Sequence, residues 1–207
     1  MATEETRRRL LEAAERLFAK KGFNATTLRE LTREASTNLA AVNYHFGSKE
    51  GLLVQVLDRG LRPINEERME LLRRARETYG DSPIPVRVLL HAFFAPAVRL
   101  LTSEHPGLPN ILLRLNLEPH PEAQARVVEW LRPVAEAFAE ALHESLPHLD
   151  RSQIMTRGVF MTGAFLYMLD QGRELLSALN GHDNAEDPGR LLDELVACCE
   201  SAFLHAA

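Results

Sequence analysis

The chain has 207 residues, 45% hydrophobic and 26% charged, enough apolar material for one large domain or for a small domain fused to a larger one, and the composition excludes disorder as the main state. The net charge of −5 is unevenly spread: residues 1–50 hold nine Lys or Arg, including all three lysines, against seven Glu, for a net of +2, so the remainder carries −7, and a mildly basic head on an acidic body marks a boundary near residue 47. The two cysteines, Cys198 and Cys199, are adjacent and match no zinc spacing, the charged N-terminus does not read as a signal peptide, and no run reaches the ~18 apolar residues of a membrane span, so the expected compartment is the cytoplasm.

Helical periodicity runs from end to end. In the first segment Leu10, Ala14, Leu17 and Phe18 share one face, and Gly22 is placed to stop the helix behind Lys20 and Lys21. Thr27 with Glu30 spells a capping box for a short second helix ending near Ala35. Ser36 and Thr37 make a tight break, and Asn38 caps a third helix that Gly47 ends. Ser48 caps a long fourth helix to about Ala75. Beyond it, helices are expected at about 83–103, 107–118, 121–146, 151–179 and 187–204, separated by Pro- and Gly-containing breaks such as Asn180-Gly181-His182-Asp183. Pro96 and Pro133 fall inside helical patterns and are expected to kink them, opening gaps of the kind that take small ligands. No stretch alternates with period two. The expected fold is all-α: three short helices in residues 1–47, joined through a long fourth helix to a larger helical domain over 48–207.

A short helix, a tight turn and another short helix form the helix-turn-helix geometry, whose second member enters the major groove. In the third helix Val42 and Phe46 point inward, with Leu39 on or near that face. Asn38, Ala41, Asn43 and His45 lie opposite, and small or hydrogen-bonding groups suit a base-reading surface. Thr26 and Thr27, Ser48 and Lys49 gather hydroxyls, amide N–H groups and a cation at helix starts, as phosphate binding requires, and Tyr44 adds a phenolic donor.

These residues carry a resemblance. The segment 7–53 is similar to the DNA-binding domain of the TetR family of transcriptional regulators through Leu17-Phe18, Gly22-Phe23, Thr26-Thr27, Tyr44-His45-Phe46 and Ser48-Lys49-Glu50. The resemblance implies a dimeric regulator, usually a repressor released from a palindromic operator by a small-molecule effector. It implies that Asn38, Leu39, Ala40, Ala41 and Asn43 read bases, and that Thr26, Thr27, Tyr44, His45 and Lys49 hold phosphates, with Ser48 beside them. The stretch NLAAVNYHFGSK also resembles members that answer to fatty acids or related lipids. Two positions depart from the family pattern: Ser36 stands where many members have Gly, and Asn43 where an aromatic is common.

In the larger domain an effector pocket is expected among Phe93, Phe94, Trp130, Phe138, Met161, Phe165 and Met168, with Arg114 and Asn116 as polar groups able to orient a carboxylate or carbonyl. The effector is accordingly expected to be apolar or amphipathic. Gly158, Gly163 and Ala164 permit close helix approach, and Leu191, Leu195, Cys199 and Phe203 lie along an amphipathic last helix, so these residues are expected to form a homodimer interface. No Gly-rich phosphate loop, nucleophile elbow or His-Glu-x-x-His occurs, and His143-Glu144 lacks its second histidine. No catalytic residue, metal or cofactor is therefore expected. The alternative reading is an all-helical small-molecule-binding protein that does not bind DNA.

Overall fold

The computed structural model describes residues 2–102, 105, 107–117, 120–172, 175, 178, 179 and 187–204. Among them every regular element is helical, and no helix is long and apolar enough to cross a membrane. The break expected at 180–183 lies outside the described residues. α1 (Ala2–Lys21) opens on Glu4 and Glu5 and closes on Lys20 and Lys21, each sign opposite to the helix dipole at that end. Gly22 stops it at φ 82°, with its N–H on the Phe18 carbonyl at 2.9 Å. α2 (Leu28–Glu34) begins with the complete Thr27–Glu30 capping box. α3 (Leu39–Phe46) is capped by Asn38, whose Oδ1 accepts from the Ala41 N–H at 3.1 Å. α4 (Lys49–Tyr79) is capped by the Ser48 hydroxyl, which accepts from the Gly51 N–H at 2.9 Å. It continues one turn past Ala75 and ends before Gly80 at φ 56°.

The α2–α3 turn holds Ser36 at φ 49°, a left-handed conformation in a residue with a Cβ. Thr37 N–H closes the turn on the Thr32 carbonyl at 2.8 Å. A serine there costs about 1–2 kcal/mol over glycine, partly offset by glycine's larger unfolded-state entropy of about 0.5–1 kcal/mol. Ser36→Gly is therefore expected to stabilise the protein by about 0.5–1 kcal/mol and raise its melting midpoint by about 1–4 °C. A lower midpoint in thermal denaturation would contradict this account of the turn.

The chain packs as two compact units. The first comprises Met1–Arg62 and Glu104–Val128. Its innermost cluster is Leu10, Ala13, Ala35 and Val42, flanked by the partly buried Leu28, Ala41 and Phe46. Two of those four residues are alanines, so α1 with the two short helices α2 and α3 buries little area alone and needs further cover. Leu52, Leu53 and Leu57 of α4, and Leu108, Ile111 and Leu115 of α6 (Leu108–Leu117), supply it from buried positions. Gly60 on α4 makes room for Leu108: a Cβ there would stand 2.5 Å from Leu108 Cδ2. His105 Nδ1 lies 2.8 Å from the buried Glu15 carboxylate of α1. The His120 ring meets Phe23 at 4.5 Å in an edge-on contact. α7 (Pro121–Ser145) begins in this unit, where Gln124 Nε2 donates to the Leu115 carbonyl at 2.6 Å.

The second unit comprises Pro63–Ser103 and Glu129–Ala207. α5 (Val86–Val98) contains the buried Pro96 and tightens into a 3₁₀ turn at Arg99–Thr102. α8 (Arg151–Tyr167) starts with an Asp150–Gln153 capping box and loosens into a π-helical turn at Met168–Gly172. α9 (Pro188–Leu204) packs against α5 and α8. Its apolar stripe is spent there: Val196, Cys199 and Phe203 are all buried within one protomer. Arg157 of α8 donates to the carbonyls of Ala202 and Phe203 at 3.2 and 3.4 Å, capping the C-terminal end of α9. Cys199 and Phe203 are thus core residues of the protomer, which corrects their placement on a dimer face. Burial pushes the Cys199 thiol up to about 11, with Cys198 adding to the shift, so little reactive thiolate exists near neutral pH.

Candidate nucleic-acid interface and effector region

α3 turns Val42 wholly inward, because its partners Leu10, Ala13 and Ala35 leave only that side apolar. Ala41 and Phe46 are half-buried against the same cluster, so Ala41 sits on the flank of the helix and not on the face opposite its core. Leu39, expected on or near the inward face, is instead 51% exposed. The outward face therefore consists of Leu39, Ala40, Asn43 and Tyr44, with Asn38 at its N-terminal edge. It bears no formal charge. Asn38 has spent its side-chain oxygen on the cap, which leaves its NH₂ as donor only. Asn43 is exposed with both ends of its carboxamide uncommitted among the described residues. It is the residue able to present the donor–acceptor pair that matches adenine's major-groove edge.

The surrounding donors divide into free and committed. Ser48 is exposed; its oxygen accepts from Gly51 and its hydroxyl proton remains to donate outward. Lys49 holds its ammonium 4.1 Å from the centre of the Phe23 ring, a cation–π contact that fixes a flexible side chain at the head of α4. Tyr44 is 78% exposed. His45 is half-buried, its ring 5.1 Å from that of Tyr44 and 5.9 Å from that of Phe46, so it steadies the two aromatics that flank it.

Thr26 departs from expectation. It is almost wholly buried, its hydroxyl donates to the Gly22 carbonyl at 2.7 Å, and its N–H is bound to the Phe23 carbonyl. Both donors are consumed in bracing the α1–α2 turn, so Thr26 presents none to a phosphate. Thr27 is exposed, but its N–H and its hydroxyl both donate to the Glu30 carboxylate, at 2.9 and 2.8 Å. Hydrogen bonding from the Lys21 ammonium and then from Thr27 holds the Glu30 carboxyl down to about 2, so the start of α2 carries its own anion, balanced by Lys21.

Two cations escaped the sequence reading. Arg8 pairs with Glu5 and Glu12, Arg16 with Glu34, and Lys21 with Glu30. Arg29 and Arg33, one turn apart on α2, are exposed and make no ion pair among the described residues. The missed signal is that no acid stands three or four positions from Arg29 on its own helix, which leaves its charge unclaimed locally.

Family models match both parts of the chain. Residues 10–56 match "Bacterial regulatory proteins, tetR family", and residues 91–202 match "Tetracyclin repressor-like, C-terminal domain". The chain belongs to the TetR family. This TetR-family protein is 27% identical over 192 residues to the HTH-type transcriptional repressor NicS of Pseudomonas putida, covering 88% of this chain and 84% of that one. It is 30% identical over 124 residues to the HTH-type transcriptional dual regulator CecR of Shigella flexneri, covering 56% and 53%. A tetR-family regulatory protein from Rhodococcus RHA1 superposes with a TM-score of 0.70 at 19% identity, covering 98% of each chain. HlyIIR, a hemolysin II transcriptional regulator, does so at 0.65 and 18%, covering 99% of each; both share its fold. This TetR-family member is a DNA-binding transcriptional regulator and not an enzyme.

The expected effector residues divide between the two units. Arg114 belongs to the first, where it lines a crevice with Phe18, Phe23, Leu53, Ile111, Leu115 and His120. That crevice has about 10 Å³ of interior space, room for a single water and far below the roughly 300 Å³ of a small-molecule site. The side chain of Asn116 lies outside the described residues. In the second unit Phe93 meets Phe94 at 5.1 Å and Phe138 at 5.3 Å, and Phe94 meets Phe165 at 5.4 Å, a continuous aromatic wall. Met161 is buried, Met168 is half-buried in the π-helical turn, and Trp130 is half-buried on α7.

Of the expected dimer residues, Gly163 and Ala164 are exposed, while Gly158, Leu191 and Leu195 are half-exposed. A Cβ added at Gly158 or Gly163 would touch nothing. Around them on α8 stand Met155, Val159, Phe160 and Tyr167, all exposed, with Phe160 at 71%.

Proposed function

We propose that this regulator is a repressor that binds a two-fold symmetric operator as a homodimer and releases it on binding a small apolar or amphipathic effector. Residues 1–47 would form the DNA-reading module, and 48–207 the effector-binding and dimerisation region. The observation that carries the reading is the uncharged outward face of α3 (Leu39, Ala40, Asn43 and Tyr44, edged by Asn38) set beside the donors Ser48 and Lys49. A helix free of charged side chains seats deep in a groove, and donors at its end meet phosphates. Asn38, Leu39, Ala40 and Asn43 then read bases, with Ala41 at the margin. Tyr44, Ser48 and Lys49, joined by Arg29 and Arg33, fasten the backbone, while Thr27 keeps both its donors on Glu30 and His45 positions Tyr44. Effector and operator need only differ in affinity for two states of the dimer by about 1–3 kcal/mol for regulation to follow, and α4 runs through both units to connect them.

A mobility-shift titration on DNA from upstream of the protein's own gene tests this. Lys49→Ala is expected to weaken binding to all sequences alike and to lower the slope of log K against log salt by about one to two units in a dimer. Asn43→Ala is expected instead to relax the preference at one base pair per half-site, worth about 1–3 kcal/mol of discrimination. No shift on any such fragment, together with small-molecule binding, would favour the alternative of a helical ligand-binding protein without DNA binding.

A further inference from the structure

Arg68 lies on the inward side of α4, only 5% exposed. Its Nε donates to the Phe93 carbonyl at 2.8 Å and one terminal nitrogen donates to Asn65 Oδ1 at 3.1 Å. Asn65, itself buried, anchors that contact by donating its own NH₂ to the Trp130 carbonyl at 3.3 Å. The guanidinium lies over the Phe93 ring at 4.1 Å from its centre, at the edge of the aromatic wall of Phe93, Phe94, Phe138 and Phe165. An arginine has five N–H donors, and two are matched here by neutral acceptors.

No carboxylate pairs with this charge among the described residues. Of the neighbouring acids of α4, Glu67 pairs with Arg99 and Glu70 with Arg73 and Arg74, while Glu66 is exposed on the outer side of the helix. Burial lowers the Arg68 guanidinium to about 10, and no acidic neighbour opposes that shift; it remains a cation at neutral pH. A buried, hydrogen-bonded but uncompensated positive charge is costly, and apolar residues of similar volume would serve packing better. Such a charge has a use if an anion joins it. A planar fork with donors to spare, fixed from behind by Asn65 and Phe93, fits a carboxylate, and the rings beside it fit an apolar body.

We infer that Arg68 is the anchor for an effector bearing a carboxylate on an apolar body, seated against Phe93 and its neighbouring rings and oriented by Asn65. The inference rests on the effector-responsive reading above and narrows the class of effector. It also moves the polar anchor from Arg114, which lines the small crevice of the other unit, to a residue of α4.

The test pairs acids with their neutral counterparts, octanoate with 1-octanol and benzoate with benzyl alcohol, on the full-length protein. At least one acid is expected to raise the melting midpoint by about 4 °C or more at millimolar concentration, with its alcohol raising it by under about 1 °C. In Arg68→Met the acid's shift is expected to fall to that of the alcohol, with apparent affinity lost by about 30-fold or more. Arg68→Gln, which keeps a donor toward Phe93, serves if the methionine variant does not fold. If neither acid stabilises the parent more than its alcohol, or if the variants keep the acid's stabilisation, the anchor is overturned. Mobility shifts without and then with the acid separate the two readings. Parent and variant binding DNA alike, with only the parent released by the acid, supports both. Loss of DNA binding in the parent, with Arg68-dependent stabilisation intact, sinks the regulator reading and leaves the anchor standing.

Discussion

Gly51→Ala is expected to destabilise the protein by about 2–3 kcal/mol and to lower its melting midpoint by about 5–10 °C. Helix propensity alone predicts the opposite, since alanine is favoured over glycine inside a helix by about 1 kcal/mol. The clash decides the sign. A Cβ at residue 51 would fall well inside the van der Waals radius of the Phe46 carbonyl oxygen. The obstacle is backbone, which cannot rotate aside as a side chain does. Gly51 sits in the first turn of α4, where its N–H is bound by Ser48, and Phe46 is the last residue of α3. Separating them tilts the reading helix away from Ser48 and Lys49, so operator affinity is expected to fall by about 10-fold or more at temperatures where the variant is still folded. Circular dichroism melts and mobility shifts on one preparation check both effects. A variant as stable as the parent would mean that the junction relaxes without strain.

Phe160→Asp is expected to convert the proposed homodimer into folded monomers. Phe160 is 71% and Val159 68% exposed on α8, in line with Met155, Gly163, Ala164 and Tyr167. Large apolar side chains clustered on a protomer's surface mark an interface. Each buried Phe is worth about 1.5–3 kcal/mol, and two-fold symmetry counts the substitution twice, so the dimer dissociation constant is expected to rise by about a thousand-fold or more. Because one short helix reads too few bases, operator affinity at fixed protein concentration is expected to drop by about 100-fold. Sedimentation analysis reads the assembly state, and an unchanged melting curve of the protomer would show that only assembly was affected. A variant that still sediments as a dimer would place the interface elsewhere.

Local rules made the reading head legible. Thr27 and Glu30, Gly22, Asn38 and Ser48 act within four residues of their partners, so their roles follow from spacing, and each does what its position predicts. Ser36 is instructive because it stands where many family members have Gly, and the backbone there adopts the conformation that glycine favours. Thr26 was misread because a hydroxyl beside a helix start looks the same whether it faces outward or braces the preceding carbonyl; only the nine-residue return of the chain onto Leu17 and Gly22 settles it.

Nonlocal packing was not legible. The amphipathic stripe of α9 has one period whether its own protomer or a second copy covers it, and α5 and α8 prove to be the cover for Cys199 and Phe203. Arg68 stands in the run Glu66-Glu67-Arg68-Met69-Glu70, which reads as a solvated face; nothing nearby in the chain reveals that Phe93, twenty-five positions away, supplies its acceptor. The boundary expected near residue 47 follows composition, whereas the compact units follow contacts, and these are different partitions of one chain.

The union of Met1–Arg62 with Glu104–Val128 has a kinetic meaning. Glu15 waits for His105, Phe23 for His120, and the notch at Gly60 for Leu108. During synthesis the N-terminal helices can form as they leave the ribosome, but their lasting cover arrives only some fifty to a hundred residues later. Closing loops of that length is slow compared with helix formation. The nascent protein therefore carries an unfinished reading head through the middle of its translation, with Phe18 and Phe23 short of their final neighbours, and completes it only after α6 has emerged.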